Sequence, residues 1–487
     1  MRKLHALGIL CFVLVLASAV RAQTAPGVNN AALIGDYAFS FNGMTTGDGV
    51  TSTPFAAVGR FTADGAGSLS NGELDANGFG AMEKAVAQPF TGTYSIGADN
   101  RGVMTLNIPG GGTLAFAVMA NGNAKFVEID AAGGHGTVGS GTMEKVDTTA
   151  FSTAKIAGDY AFGVAGFDQS NNRTAIAGRF TANGVGTFTN GAADVNLSGT
   201  FSTLNVVAGT YAVTDGATGR GIMNIPPVVG GTPINLDFVF YVVNAGKVLA
   251  MEMDALSPAT PLLTGAVLQQ QTPAIVGFTS TSLMGGMVMY GSGTGAAEAG
   301  LLTADGIGTL RVDFNGACGG EGGGSGTYTV ASNGRTVIRA GGYAAAYLVS
   351  SNEAFFILPD ACVSFGFGEP QASGTITNSA IAGNYAGSTA IPTSVKDVIF
   401  SGEFTADGAS PTGNISGIED IGAPSGPSLG VPANATYSVS ISSTYVNGKG
   451  WWYVNGSQAG IVYVISPSKF VVVSWDPIYY PLLIFEK

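Results

Sequence analysis

The chain has 487 residues, of which 75 are glycine, and 11% are charged against ~25% in an ordinary soluble domain. Its 46% apolar content can build cores, which excludes a disordered polyelectrolyte, and its glycines keep no period of three, which excludes collagen. A net charge of −12 with no basic cluster argues against nucleic acid or an anionic membrane surface as partner.

The N-terminus predicts a targeting segment. Arg2 and Lys3 precede an apolar run from Leu7 to Val20, and Val20-Arg21-Ala22 fits a small-x-small cleavage site. The run is short for a membrane span, which needs ~20 apolar residues. Residues 1–22 therefore read as a signal peptide and 23–30 as a linker, with the mature chain starting near Gln23; an uncleaved anchor is the competing reading. Loss of Arg2, Lys3 and Arg21 takes the basic count from 20 to 17 against 32 acidic residues, a mature net charge of −15. Export places the protein at the cell surface, outside the cell or in the periplasm.

From residue 31 the pattern is all-β. Tyr37, Phe39 and Phe41 alternate with small residues, the period of a half-buried strand. Strand-like runs follow at Phe55–Ala63, Ser68–Asp75, Phe90–Ile96, Val103–Ile108, Leu114–Ala120, Lys125–Asp130 and Thr137–Lys145. Asp64-Gly65, Asn71-Gly72 and Asn121-Gly122 separate them with hairpin-turn chemistry. His135, the one histidine left after cleavage, lies in Gly133-Gly134-His135-Gly136 and reads as a loop residue rather than a catalytic or metal-binding one.

The same unit then repeats. Gly59-Arg-Phe-Thr-Ala-Asp-Gly65 returns as Gly178–Gly184 with Asn183, as Gly300–Gly306 with Asp305, and as Gly402–Gly408 with Asp407. Ahead of it stand Gly35-Asp-Tyr37, Gly158-Asp-Tyr160, Ile275-Val-Gly-Phe278 and Gly383-Asn-Tyr385. Behind it stand Gly92-Thr-Tyr94, Gly209-Thr-Tyr211, Gly326-Thr-Tyr328 and Ala435-Thr-Tyr437. Three markers in one order, four times over, predict four β units at 31–150, 151–271, 272–376 and 377–487. At about 100–120 residues each unit is domain-sized. Eight short strands with short connections predict a small up-and-down, lipocalin-like barrel in preference to a sandwich.

Within the second unit, Leu236–Val243 is apolar on both faces, as is Ile461–Ile465 in the fourth. Such strands are buried on both sides, and contact between units is the expected cause, with a lipid-facing strand as the alternative. Glu128-Ile-Asp130 and Glu252-Met-Asp254 put two carboxylates on one strand face at ~6.6 Å, inside the ~6.5–9.5 Å range of inverting glycosidases. The third and fourth units carry no such pair, so a solvated strand end is the preferred reading. The Thr-Ala-Asp-Gly turn offers one acid where calcium needs several oxygens, so no metal and no cofactor are expected. In the third unit, Cys318 and Cys362 predict a disulfide, worth ~3–4 kcal/mol in the chain-entropy model. In the fourth, Trp451, Trp452 and Tyr453 are the candidate contact for a sugar or a surface.

The Gly-Arg-Phe-Thr-Ala-Asp-Gly units resemble those of uncharacterised exported bacterial tandem β-repeat proteins, over residues 31–487. The resemblance implies export and tandem β domains; it brings no activity, cofactor or catalytic residue. The expected function is therefore non-catalytic: an exported β array acting by binding or as structure, with a glycan or another cell-surface component as candidate partner. A carbohydrate-active enzyme and a lipocalin-like carrier of small apolar molecules are the alternatives.

Overall fold

The computed structural model describes residues 27–487 except 47–50, 79–84, 110, 131–135, 207, 227, 230–231, 234–235, 258–259, 274–275, 317–319, 391, 393–395, 424, 440–446 and 476–480. The expected signal peptide, His135 and Cys318 fall outside the described residues.

The first eight strands are Ile34–Thr46, Thr53–Asp64, Ser68–Gly78, Ala85–Ile96, Arg101–Asn107, Thr113–Val118, Ala124–Glu128 and Gly136–Lys145. Each pairs antiparallel with the next, and the last returns to the first, so the sheet closes as an up-and-down barrel. The third and fourth units close in the same order over Met284–Pro370 and Ala382–Glu486. The second unit, Ala157–Gln269, also closes, with its fourth strand split into Thr200–Val206 and Gly209–Asp215, both paired with Thr187–Leu197. Among the described residues no strand of one unit pairs with a strand of another.

The repeated markers have physical roles. Asp64 is exposed, its Oδ1 accepts the backbone N–H groups of Ala66, Gly67 and Ser68, and Gly65 follows at φ 75°. Asp305 does the same for Ile307, Gly308 and Thr309. Asn183 and Asp407 cap their own turns, before Gly184 and Gly408 at φ 75° and 66°. A left-handed residue tightens the turn, and glycine adopts that conformation without cost to a side chain. Tyr37, Phe39 and Phe41 all enter the first barrel's core.

The tyrosine of the third marker ties a plug into each barrel. A short 3₁₀ turn precedes each first strand, as at Asn30–Ala32 and Thr153–Lys155. The buried residues Leu33, Ile156, Leu283 and Ile381 follow or end those turns. Tyr94 donates to the Leu33 carbonyl at 2.8 Å, Tyr211 to Ile156 at 2.6 Å, Tyr328 to Ser280 at 2.9 Å and Tyr437 to Ile381 at 2.5 Å.

One marker is displaced from its expected place. Phe278 packs into the third core, but the third barrel's first strand begins at Met284. Met287 pairs with Leu302 there as Tyr37 pairs with Phe61, and Gly285 at φ 103° matches Gly35 at φ 106°. The Gly-x-Tyr position is therefore Gly285-Gly-Met287. Its aromatic is gone, which hid it.

The doubly apolar strands lie between barrels. Val239, Tyr241 and Val243 cluster with Ala38, Ala56 and Val58 of the first barrel. Ile461, Tyr463 and Ile465 cluster with Val288, Ala299 and Leu301 of the third. Tyr347, Phe355 and Ile357 meet Ala161, Ala175 and Ala177 of the second. The fourth barrel returns to the first, where Ile399 packs with Ala115, Val127, Ile129 and Val138. The four barrels thus form a closed ring.

Candidate functional site

Each seam of the ring carries an equivalent ion pair, from the third strand of one barrel to the start of the fifth strand of the next. Arg220 grips Asp75 with Nε to Oδ2 at 2.7 Å and Nη2 to Oδ1 at 2.8 Å. Arg335 grips Asp194 in the same two-pronged way, both contacts at 2.8 Å. Lys449 reaches Asp313 at 2.5 Å, and Arg101 closes the ring on Asp420 at 2.6 Å. Asp75 and Asp194 are fully buried, where a carboxylate persists only when paired and hydrogen-bonded.

A tyrosine completes three of the seams. Tyr241 donates to Asp75 and Tyr347 to Asp194, each at 2.8 Å, and Tyr463 lies 3.4 Å from Asp313. Burial, then the neighbouring aspartate, pushes both Tyr241 and Tyr347 well above the ordinary tyrosine range. At the fourth seam the matching position, opposite Arg101, is Ala117. Two residues after the aspartate, Asn77 donates to the Glu252 and Asp254 carbonyls, both at 3.0 Å. Asn196 repeats this on Leu358 and Asp360 at 2.7 and 2.9 Å. The recurring Asp-x-Asn and the basic residue after the fourth turn are sequence signals that the three aromatic and glycine markers overshadow.

The carboxylate pairs do not face each other across a cleft. Glu128 shares the interior side of its strand with Phe126, and burial pushes its carboxyl up to about 8, helped by Asp130. Asp130 is exposed and accepts the Thr113 N–H at 2.6 Å. Glu252 is buried and accepts the Asp254 N–H at 2.5 Å, while its backbone serves the Asn77 contact.

The aromatics of the fourth unit divide between two faces, as neighbours on a strand must. Trp452 is buried and packs on Phe485, ring centres 5.7 Å apart. Trp451 is half-buried beside the seam to the third barrel, 5.6 Å from Trp475, and Tyr453 is half-buried.

Two of the cavities among the described residues bear on function. One, of about 680 Å³, is bounded by residues of all four barrels, among them Asn42, Thr264, Tyr290 and Ile484. Its charged groups are tied across seams: Lys247 to Glu144 at 2.7 Å, Lys469 to Glu369 at 2.5 Å and Lys125 to Glu486 at 3.2 Å. The other, of about 340 Å³, lies inside the third barrel, between Met289, Leu302, Ile338 and Phe356, with Glu298 in its wall.

Compared with known proteins, the chain matches no protein-family model and no curated protein. Among the described residues no helix is long and apolar enough to cross a membrane, and no cluster of His, Cys, Asp and Glu could hold a metal ion.

Proposed function

We propose that this is an exported, non-catalytic protein whose four barrels act outside the cytoplasm as one rigid ring, by binding or as structure. The observation that carries the reading is the circuit of equivalent seams. Buried or part-buried acid–base pairs recur at the same place in each barrel and serve to lock neighbours together. Repetition of this kind builds a surface rather than a single reactive cleft. The sequence resemblance to exported tandem β-repeat proteins supports the same reading, and the run Leu7–Val20 supports export. A disulfide between Cys318 and Cys362 would suit an exported chain. A glycan or another surface component is the proposed partner, with the part-exposed Trp451 and Tyr453 as its contact.

The test has two arms. Intact mass of protein recovered from outside the cytoplasm should begin at or near Gln23; a chain retaining residues 1–22 overturns export. The same protein, offered immobilised glycans and chromogenic glycosides, should bind without turnover. Turnover lost in a Glu128→Gln or Glu252→Gln variant would establish the enzyme instead.

A further inference from the structure

The third barrel is hollow at one end. Register across the sixth strand shows why. Arg101 pairs with Ala117, Arg220 with Tyr241 and Arg335 with Tyr347, so these strands align residue for residue. The first barrel then places Phe39, Leu106, Leu114 and Phe116 inside, and the second Phe162, Ile225, Phe238 and Phe240. The third has Met289, Ala340, Ala344 and Ala346 at those positions. Large-to-small replacement in a rigid β frame leaves a void, because close-packed walls relax only in part.

The void has a polar wall at one point. Glu298 lies on the face of its strand that carries Leu302 and Ala304 into the core, where the first and second barrels have Ala57 and Ile176. It is 4% exposed, and its Oε1 accepts the Ser364 hydroxyl at 2.8 Å. Burial pushes its carboxyl up to about 7, Ser364 and Arg173 oppose that shift, and Asp360 adds to it. A buried carboxyl with no lysine or arginine bonded to it is costly to keep for packing alone. The rim is glycine: a Cβ added at Gly322, Gly324, Gly341 or Gly342 would meet nothing within 4 Å. The opening is at the end away from the plug residue Leu283.

We propose that the third barrel binds a neutral, largely apolar small molecule of about two fused rings, carrying one hydroxyl or carbonyl oxygen that hydrogen-bonds to Glu298. The inference stands on this barrel alone and goes beyond the ring reading. The volume of about 340 Å³ is roughly twice the ~150 Å³ that admits one benzene ring, and falls in the ~300–1,000 Å³ range of small-molecule sites. Glu298 in the wall disfavours an anion, and a cation would lose its hydration among apolar walls with one carboxyl, itself raised toward neutrality, to replace it. A neutral molecule remains. Its oxygen is positioned by one carboxyl while apolar walls supply most of the affinity.

The experiment titrates the mature chain at pH 7 with 2-naphthol, naphthalene and 2-naphthoate. One 2-naphthol should bind per chain, with naphthalene and 2-naphthoate each weaker by about tenfold or more. Ala344→Phe, which restores the bulk present in the second barrel, should abolish 2-naphthol binding without lowering the melting temperature. Ala340→Leu gives the same reading from a smaller change if Ala344→Phe does not fold. Glu298→Ile should bring 2-naphthol down to the affinity of naphthalene. No 2-naphthol binding, equal binding of naphthalene, or full binding in the filled variants overturns the proposal. Any of these leaves the ring reading intact, because that reading is tested by mass and turnover.

Discussion

At the scale of single residues, the seam aspartates carry the most energy per side chain. Asp194 is fully buried, gripped twice by Arg335 and once more by Tyr347. Removing the acid takes from Arg335 its two charge-assisted bonds and leaves it only the Thr203 and Tyr343 oxygens, and it takes the acceptor from the Tyr347 and Thr203 hydroxyls. Breaking a buried pair from one side costs about 3–5 kcal/mol, so Asp194→Ala should lower the urea midpoint strongly. Tyr347→Phe should cost less, about 1.5–3 kcal/mol, the range for one hydrogen bond to a charged group. If both variants unfold at the wild-type midpoint, the seam does not hold the ring. The turn aspartates are exposed and act differently. Three backbone N–H groups and the Thr309 hydroxyl hold the Asp305 carboxyl down at about 2. A depressed carboxylate contributes stability above its unfolded pKa and loses it as pH falls through the folded value. Asp305→Ala should therefore lower the melting temperature at pH 7 more than Asp305→Asn, and the gap between wild type and either variant should narrow toward pH 2. Asn183 shows that the amide can do the same job in the second barrel.

At the scale of strands, the sequence was legible where one residue type answers one local demand. Alternation around Tyr37 and the Asp-Gly turns placed all eight strands of the first unit, because period and turn chemistry are read over a few residues. Two things were not local. Asp75 and Arg220 lie 145 residues apart, so their pairing is invisible without the ring, although an aspartate and a basic residue recur at these places in every unit. The third barrel's first strand lost its tyrosine to Met287, and the nearest aromatic ahead of it, Phe278, stands nine residues before that position. The hollow end of that barrel was likewise unreadable, since Ala340, Ala344 and Ala346 look like ordinary strand residues until register sets them against Leu106, Leu114 and Phe116. The comparison makes a packing prediction. Phe116 is 1% exposed, and Gly102 lies directly against its ring. Phe116→Ala should cost about 3–5 kcal/mol, measured as a fall in midpoint. Ala346→Gly, at the matching place in the third barrel, removes far less surface and should cost much less. Equal losses would show that the two strands are not in equivalent register.

At the scale of the whole molecule, the closing seam differs from the other three in its side chains. The first three seams each set several apolar side chains of one barrel against several of the next, with a tyrosine on the aspartate. The closing seam offers Ile399 and Ala386 from the fourth barrel, and Ala117 stands where the tyrosine would be. Its electrostatics are also lopsided. Asp99, Asp420 and Glu403 gather around Arg101, which bonds Asp99 and Asp420 directly, and Glu419 lies beside Asp420. Glu403 occupies the place that Arg60 and Arg179 hold in the first two barrels, and its Oε1 has no hydrogen-bond partner among the described residues. Burial, then Asp99, pushes its carboxyl up to about 8 against the pull of Arg101. Burial, then Asp420, pushes Glu419 up to about 7. A carboxyl whose pKa is raised on folding binds more protons folded than unfolded. Its contribution is therefore complete below the unfolded pKa of about 4.3 and is lost as pH rises through 7 to 8. The closing seam should hold best in mild acid and loosen toward pH 9, where Glu403 and Glu419 ionise beside Asp99 and Asp420. The radius of gyration from solution scattering should then rise between pH 5 and pH 9, and the melting temperature should fall over the same interval. Glu403→Gln keeps the shape and removes the charge, so it should flatten both profiles, whereas Glu73→Gln at the seam between the first two barrels should not. A ring whose dimensions and melting temperature are the same at pH 5 and pH 9, in wild type and variant alike, would show that these carboxyls do not govern closure.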